Sequence, residues 1–357
     1  MKKVLIVDTV SYERATYIKL YEKILKEKNV VYDLFLWDRD NDKSFEKKDN
    51  MFIFHKQCPF GGSKLKKILP MFLYQLKLRE IIKKYNYTHL ILIDSLAPVM
   101  IHDLVLSDYK NKYILDIRDY TYEKYSSYKK IMMKLVNDSC FTCISSKGFK
   151  RFLDSSPKYV YSHNISNDEF TEDVCNIENK EQKIVIGFVG SVRYFEENKK
   201  LIDSLDSDKF QFKYVGSKVS DCDLEGYCRN NNISNVEING AYKNEEKPKI
   251  YKSIDVINSI YGTSSFEVTT AVPNRFYDAL IFKKPIIASK GTFLGELVEE
   301  CKVGIAIDVY KEGVNELLSE YIDNIDVDQL NENMKRTLKL VLDEQYAYVK
   351  KIEEFLD

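Results

Sequence analysis

The chain has 357 residues, 44% of them hydrophobic, with 54 Lys and Arg against 55 Asp and Glu. That length exceeds one ordinary core and suits two α/β domains. Only 13 Gly and 7 Pro exclude a low-complexity or collagen-like chain. Seven Cys at irregular spacing exclude a disulfide framework. Cys140 and Cys143 form a C-x-x-C, but no second pair completes a zinc site, so the thiols read as structural and reduced. The near-neutral total hides an asymmetry. Residues 1–165 carry 30 Lys and Arg against 19 Asp and Glu, and the remainder carries 24 against 36. A basic half and an acidic half suggest different partners for the two.

MKKVLIVDTV opens like a leader peptide, but Asp8 cuts the apolar run after four residues. VLIV is therefore a first buried strand. No stretch reaches the roughly 18 apolar residues of a membrane span, which predicts a cytoplasmic protein. Further strands are expected at 31–37, 51–54, 89–93, 113–117 and 141–145, with amphipathic helices at 11–28 and 64–85. The runs are nearly all apolar rather than alternating, as a parallel sheet covered on both faces requires. Residues 164–182 are polar, acidic and aperiodic, and read as a linker. The alternation resumes at 183–190, 210–216, 236–238, 255–260, 285–289 and 304–307. Residues 338–356 read as one long helix. The expected organisation is a first Rossmann-like domain over 1–165, a linker over 166–182 and a second Rossmann-like domain over 183–340. Residues 341–357 form a terminal helix that packs back on the first domain. Ligands of such sheets bind outside the carboxyl ends of the strands.

Three segments of the second half carry chemistry. In Gly187-Phe-Val-Gly190-Ser191-Val-Arg193 a strand ends in a small-residue turn before a helix. The glycines admit a ligand to the backbone, Arg193 can clamp a phosphate, and Lys199 and Lys200 follow. An ordinary strand–turn–helix with surface cations would read the same. In Pro273-Asn274-Arg275-Phe-Tyr-Asp278 a helix starts near Asn274 and runs to about Phe282. The Asp278 carboxylate could accept bonds from sugar hydroxyls; a capped helix with solvated charges is the alternative. In Gly291-Thr292-Phe293-Leu294-Gly295-Glu296 a strand's carboxyl end again opens a helix. The amides of Phe293 to Gly295 could hold a diphosphate.

In this order, GFVGSVR, IDVINSIYG, PNRFYDALIFKKPIIAS and GTFLGELV resemble the donor domain of glycosyltransferase family 4, in variants found in bacterial capsule and O-antigen clusters. In the first half Asp116-Ile-Arg118-Asp119, Ser145-Ser146 and His163-Asn164 also match. The resemblance implies a GT-B fold: two Rossmann-like doubly wound parallel-sheet domains facing across a cleft. It implies retaining, metal-independent transfer from a nucleotide diphosphate sugar, UDP-sugar favoured, to a lipid-linked saccharide such as a polyprenyl-linked one. No cofactor is bound; the nucleotide sugar is a co-substrate. Arg193 with Lys199 or Lys200 would neutralise the diphosphate, with Gly190 and Ser191 beside it. Asn274 and Asp278 would hold the ribose, and the amides at Thr292, Phe293, Leu294 and Gly295 a phosphate or the sugar. Asp116, Arg118 and Asp119 would meet the donor sugar or the acceptor hydroxyl, although a local ion pair at a strand end would also account for them.

Two departures stand out. The first of the family's two glutamates falls on Thr270, and the glycine loop after the first strand is replaced by Asp8-Thr9-Val10-Ser11-Tyr12. An epimerase on the same fold, or a non-catalytic binding protein, remains the alternative. Lys64–Tyr85 is a basic amphipathic segment interrupted by Pro70. It is expected to meet an anionic membrane surface, making the protein peripheral at the inner face of the plasma membrane; a core-packing helix with a solvated basic face would read the same. No aromatic–basic module for nucleic acid is visible.

Overall fold

The computed structural model describes residues 2–15, 17–41, 48–58, 65–165, 182–219 and 222–357. The linker expected at 166–182 lies, except for Gln182, outside the described residues. The chain divides into two compact units. Unit 1 is Met1–His163 with Asp343–Asp357, and unit 2 is Asn164–Leu342.

Unit 1 is built on β1 (Lys3–Val7), β2 (Val31–Asp38), β3 (Met51–His55), β4 (His89–Ile93), β5 (Tyr113–Ile117), β6 (Phe141–Ile144) and β7 (Tyr159–Tyr161). All pair in parallel in the order β3-β2-β1-β4-β5-β6-β7. Its helices are α1 (Ile18–Glu27), α2 (Leu65–Tyr85), α3 (Leu96–Met100), α4 (His102–Asp108) and α5 (Ser126–Asp138). Successive strand residues point to opposite faces. Leu5, Val7, Leu90, Leu92 and Leu115 therefore pack with Tyr74 and Leu78 of α2. Val4, Ile6, Ile91, Ile93 and Ile114 pack on the other face with Ile18, Tyr21 and Ile24 of α1. Both faces are buried, which is why the strands read as continuous apolar runs. Pro70 lies inside α2 without ending it; so near the helix start it forfeits a single backbone bond.

Unit 2 is built on β8 (Ile184–Val189), β9 (Phe210–Val215), β10 (Val236–Asn239), β11 (Val256–Ser259), β12 (Ile286–Ser289) and β13 (Gly304–Ile307). These are also parallel, in the order β10-β9-β8-β11-β12-β13. Its helices are α6 (Phe195–Ser204), α7 (Leu224–Asn230), α8 (Lys247–Lys252), α9 (Phe266–Thr270), α10 (Asn274–Ile281), α11 (Phe293–Cys301) and α12 (Val314–Asp323). One face packs Ile186, Phe188 and Phe212 with Leu201 and Leu318; the other packs Ile257, Ile286 and Ala288 with Leu280 and Val298.

The last helix, α13, runs from Val327 to Leu356 and is longer than the expected 338–356. Its final turns belong to unit 1. There Tyr348, Ile352, Phe355 and Leu356 join the α1 face of the sheet, and the Tyr348 hydroxyl donates to Tyr21 at 2.5 Å. The expected helix over 11–28 is shorter, starting at Ile18.

In both sheets the strand order reverses between the first strand and the fourth: β1 and β4 in unit 1, β8 and β11 in unit 2. Crevices at such switch points take ligands in doubly wound folds.

Candidate functional site

At the unit 2 switch point β8 ends at Val189 and the chain turns through Gly190, whose φ is +125°. Beside it, Gly216 at the end of β9 has φ +149°, and a Cβ there would fall 1.8 Å from the Gly190 carbonyl oxygen. Glycine is thus required for these two strand ends to approach. Ser191 and Arg193 are exposed, with Val192 buried between them. Tyr194 then adopts a left-handed backbone (φ +61°) at the start of α6. That conformation costs a bulky residue roughly 1–3 kcal/mol, and it persists only where surroundings impose it.

The surroundings are a buried amide network. Asn198, on the inner face of α6, donates through Nδ2 to the carbonyls of Arg193 (3.0 Å) and Tyr194 (2.9 Å). Its Oδ1 accepts from the Tyr214 hydroxyl (3.1 Å) and Asn258 Nδ2 (2.9 Å). Asn258 accepts in turn from the Ile260 amide at 2.9 Å. The Tyr194 ring stacks on Tyr261 at 4.6 Å. The Ser289 hydroxyl, at the end of β12, accepts from the amides of Tyr261 and Gly262. The loops after β8, β11 and β12 are therefore tied to one another. Neither asparagine stands out in the sequence as a site residue. The available signal is a polar residue within an apolar strand, Asn258 in DVINSI.

Arg275 stands within the Pro273–Asp278 motif, but the sequence assigns it no role. It is buried on α10, with its guanidinium 3.5 Å from the Phe188 ring centroid and 4.8 Å from that of Tyr261. It donates to the Asn258 carbonyl at 3.2 Å and to the Tyr261 hydroxyl. Among the described residues it has no carboxylate partner. Aromatic faces and neutral oxygens offset part of its desolvation, and no carboxylate among the described residues pairs with the charge. Ser259, at the end of β11, has a buried hydroxyl without a hydrogen-bond partner.

The other expected donor residues divide. Asn274 is the exposed first residue of α10. Asp278, expected to hold a ribose, is instead buried; Lys247 Nζ donates to it at 3.1 Å and the Tyr251 hydroxyl at 2.7 Å. One helical turn beyond Asn274, its side chain enters the interior of unit 2, where it locks α8 to α10. Thr292 caps α11: its hydroxyl donates to the Ser289 carbonyl (2.7 Å) and accepts from the Gly295 amide (3.0 Å). The Gly295 amide, expected to hold a phosphate, is the one engaged by this cap. A Cβ there would lie 2.6 Å from the Ser289 carbonyl, so its role is close packing of α11 on the sheet. Phe293 and Leu294, the first two helical residues, keep amides without intrahelical acceptors. The Lys199 ammonium lies over the Tyr227 ring at 5.1 Å, and Lys200 is exposed on the same helix. Thr270 is buried and its hydroxyl donates to the Phe266 carbonyl at 2.9 Å.

The unit 1 switch point has the opposite chemistry. Asp8 ends β1, fully buried, accepting from the Thr9 amide (2.6 Å) and the Tyr17 hydroxyl (2.9 Å). Burial raises its pKa to about 7, against the opposing effect of those hydrogen bonds and with the charge of Asp116 adding to the rise. Asp94 ends β4 in a left-handed backbone (φ +58°) and accepts from the Arg118 amide at 3.1 Å. It is only half-buried by exposure. Desolvation and the carboxylates of Asp8, Asp119 and Asp116 hold it well above the usual carboxylate range.

Asp116, expected to touch a substrate, is fully buried. One oxygen accepts from the Tyr21 hydroxyl and from Arg118, both at 2.7 Å; the other has no hydrogen-bond partner among the described residues. Arg118 is also nearly buried, with its guanidinium 4.7 Å from the Tyr17 ring centroid. The two form an internal ion pair, which is the local reading of this strand end. Asp119 is exposed. His163 accompanies Glu344 at 2.8 Å within unit 1. Among the described residues, no group of three or more His, Cys, Asp or Glu is placed to hold a metal ion. None of their helices is long and apolar enough to cross a membrane.

No family model and no curated protein matches the chain. Solved structures do. A sucrose-phosphate synthase from Thermosynechococcus elongatus superposes with a TM-score of 0.71 at 11% identity, over 98% of this chain and 96% of that one. Anabaena HepE, in complex with UDP and glucose, gives 0.66 at 13%, over 99% and 100%. The lipopolysaccharide outer core galactosyltransferase WaaB gives 0.66 at 13%, over 100% and 99%. Two parallel α/β units with these neighbours make the fold GT-B.

Proposed function

We propose that the chain transfers a sugar from a nucleotide diphosphate sugar, UDP-sugar favoured, to a lipid-linked saccharide in cell-surface polysaccharide synthesis. The observation that carries this reading is the unit 2 switch point. An exposed arginine, a buried arginine without a carboxylate partner among the described residues, and two open helix-terminal amides occur there on loops latched by Asn198 and Ser289. HepE, of the same fold, is described with UDP and glucose.

As the bond between the anomeric carbon and the diphosphate breaks, negative charge grows on the departing phosphate oxygens. Arg193, Arg275 and the amides of Phe293 and Leu294 are the groups to stabilise it. Side-chain cations in that role make the reaction metal-independent. Retention follows the resemblance to family 4. Gly190 and Ser191 admit the phosphates, and Asn274 stands at the mouth of α10. Asp278 serves the site by fixing α10 rather than by touching the ribose. On the acceptor side the half-buried Asp94 is the candidate acid–base group, because it stands at the unit 1 switch point and burial with the neighbouring carboxylates raises its pKa. A lipid-linked acceptor puts the reaction at the inner face of the cytoplasmic membrane.

The test is release of free UDP from a panel of UDP-sugars, with and without a polyprenyl-linked saccharide. Acceptor-dependent release supports transfer. Conversion of the donor without acceptor favours the epimerase. Tight UDP binding with neither reaction favours a non-catalytic protein, a reading that Thr270 supports because its hydroxyl is turned back onto its own helix.

A further inference from the structure

Helix α2 is apolar on two opposite sides. Tyr74, Leu78, Ile81 and Ile82 face the sheet and are buried. On the other side Leu65, Ile68, Leu69, Phe72 and Leu76 are 78%, 61%, 59%, 53% and 48% exposed. These five fall at successive helical offsets of three, one, three and four residues, which keeps them on one stripe. Thirteen large hydrophobic side chains are exposed among the described residues. Five of them on one stripe of one helix make a patch rather than scatter. Solvent-facing positions of an ordinary helix do not read this way, which makes the stripe a candidate docking surface.

The charges beside it choose the occupant. Lys66, Lys77 and Lys84 run down one flank, and Lys83 continues the stripe where its apolar residues stop. Lys77 is paired with Glu80, and Arg79 on the other flank with Asp103. Lys66 and Lys83 make no ion pair with any described residue. Glu80 is the only acid on the helix. An apolar stripe with lysine flanks complements acyl chains beneath anionic headgroups, and not a second copy of the same positively charged face.

We propose that the exposed stripe of α2 seats unit 1 on an anionic phospholipid surface, with Leu65 to Leu76 entering the headgroup–acyl boundary and Lys66, Lys83 and Lys84 meeting the phosphates. This deepens the transfer reading by assigning its membrane location to a definite surface. Seating requires neither donor nor acceptor, so its failure would leave that reading untouched.

The experiment is cosedimentation of the full chain with vesicles of phosphatidylcholine alone or mixed with phosphatidylglycerol, at low and high salt. Binding is expected only with the anionic mixture. It should weaken at least about thirtyfold in Lys66→Glu/Lys84→Glu and clearly in Ile68→Ser/Phe72→Ser, and raised salt should reduce it. Circular dichroism melts of both variants should match the parent, because every substituted residue is exposed. Absence of binding to the anionic vesicles at low salt would overturn the proposal. So would binding indifferent to both variants. Dimerisation lost in Ile68→Ser/Phe72→Ser, without vesicle binding, would assign the stripe to a second copy instead.

Discussion

The two sheets share a strand order and differ at the same topological point. Where β8 and β11 part, unit 2 presents Arg193, Arg275 and open amides among glycines. Where β1 and β4 part, unit 1 presents Asp8 and Asp94, with Asp116 beside them and tyrosines around. The contrast runs against net charge, since the half of the sequence with the cationic edge is the acidic one. Net charge reports the outer surface, where α2 carries much of the basic excess. The switch points report what each unit can bind. On the proposed reading the unit 2 edge attracts phosphate, while at the unit 1 edge burial raises the pKa of Asp8 and Asp94, and the first of these is the better test of function.

The largest expected effect follows from that. Arg193→Ala should lower turnover about 100- to 1,000-fold, or roughly 3–4 kcal/mol of transition-state stabilisation. The melting temperature should hold, because the side chain is exposed. Near-normal turnover in donor-saturated assays would remove Arg193 from the site and leave Arg275 as the cation of the comparison.

Next in size is a pH effect confined to unit 1. The folded-state pKa of Asp8 is raised from 3.8 to about 7, so folding takes up a proton between those values. The unfolded chain then binds fewer protons than the native one, and stability falls as pH rises through that window. Asp8→Asn mimics the protonated group while keeping an acceptor for the Thr9 amide. Relative to the parent it should gain on the order of 3 kcal/mol between pH 4 and pH 8. Asp94 shifts in the same direction, so some pH dependence remains in the variant. Urea unfolding across that range is the measurement. A difference between the two proteins that stays flat with pH would mean Asp8 is ionised in the native state.

Much of this was legible in the chain. The apolar runs predicted every strand except β7, whose three residues, Tyr159–Tyr161, are half-buried and too short to carry a period. The glycine turn at Gly190 and the helix start at Asn274 were also readable, because backbone conformation leaves a composition trace. The direction of a side chain leaves none. Asp278 and Asn274 lie one helical turn apart, yet one is locked to Lys247 and Tyr251 and the other is exposed. Asp116 sat in a motif that promised chemistry, but strand alternation carried it beneath α1 to Tyr21. Asn198 gave no local signal, since its value lies in four bonds to residues as distant in sequence as Asn258.

Asn198 yields a smaller and sharper test of how unit 2 holds its edge. Asn198→Ala leaves the Arg193 and Tyr194 carbonyls and the Tyr214 hydroxyl without their partner. It should cost about 2 kcal/mol of stability and weaken UDP binding in calorimetry, since Tyr194 loses what enforces its left-handed backbone. Lost stability with unchanged affinity would show that the loop is held by the Tyr194–Tyr261 stack instead.

The smallest effect separates cap from ligand at α11. Thr292→Ala removes the hydroxyl that receives the Gly295 amide, at a cost of about 1 kcal/mol; Thr292→Ser keeps it. If the amides of Phe293 and Leu294 meet the diphosphate, Ala should lower UDP affinity modestly by fraying the first turn, with Ser close to the parent. If Gly295 itself were a phosphate donor, freeing its amide would instead tighten binding in Thr292→Ala. The sign of the change in Kd, measured well below the melting temperature of each variant, distinguishes the two. The packing of Gly295 against the Ser289 carbonyl argues for weakening, because an amide held that close to the sheet gains no reach toward a ligand when its cap is lost.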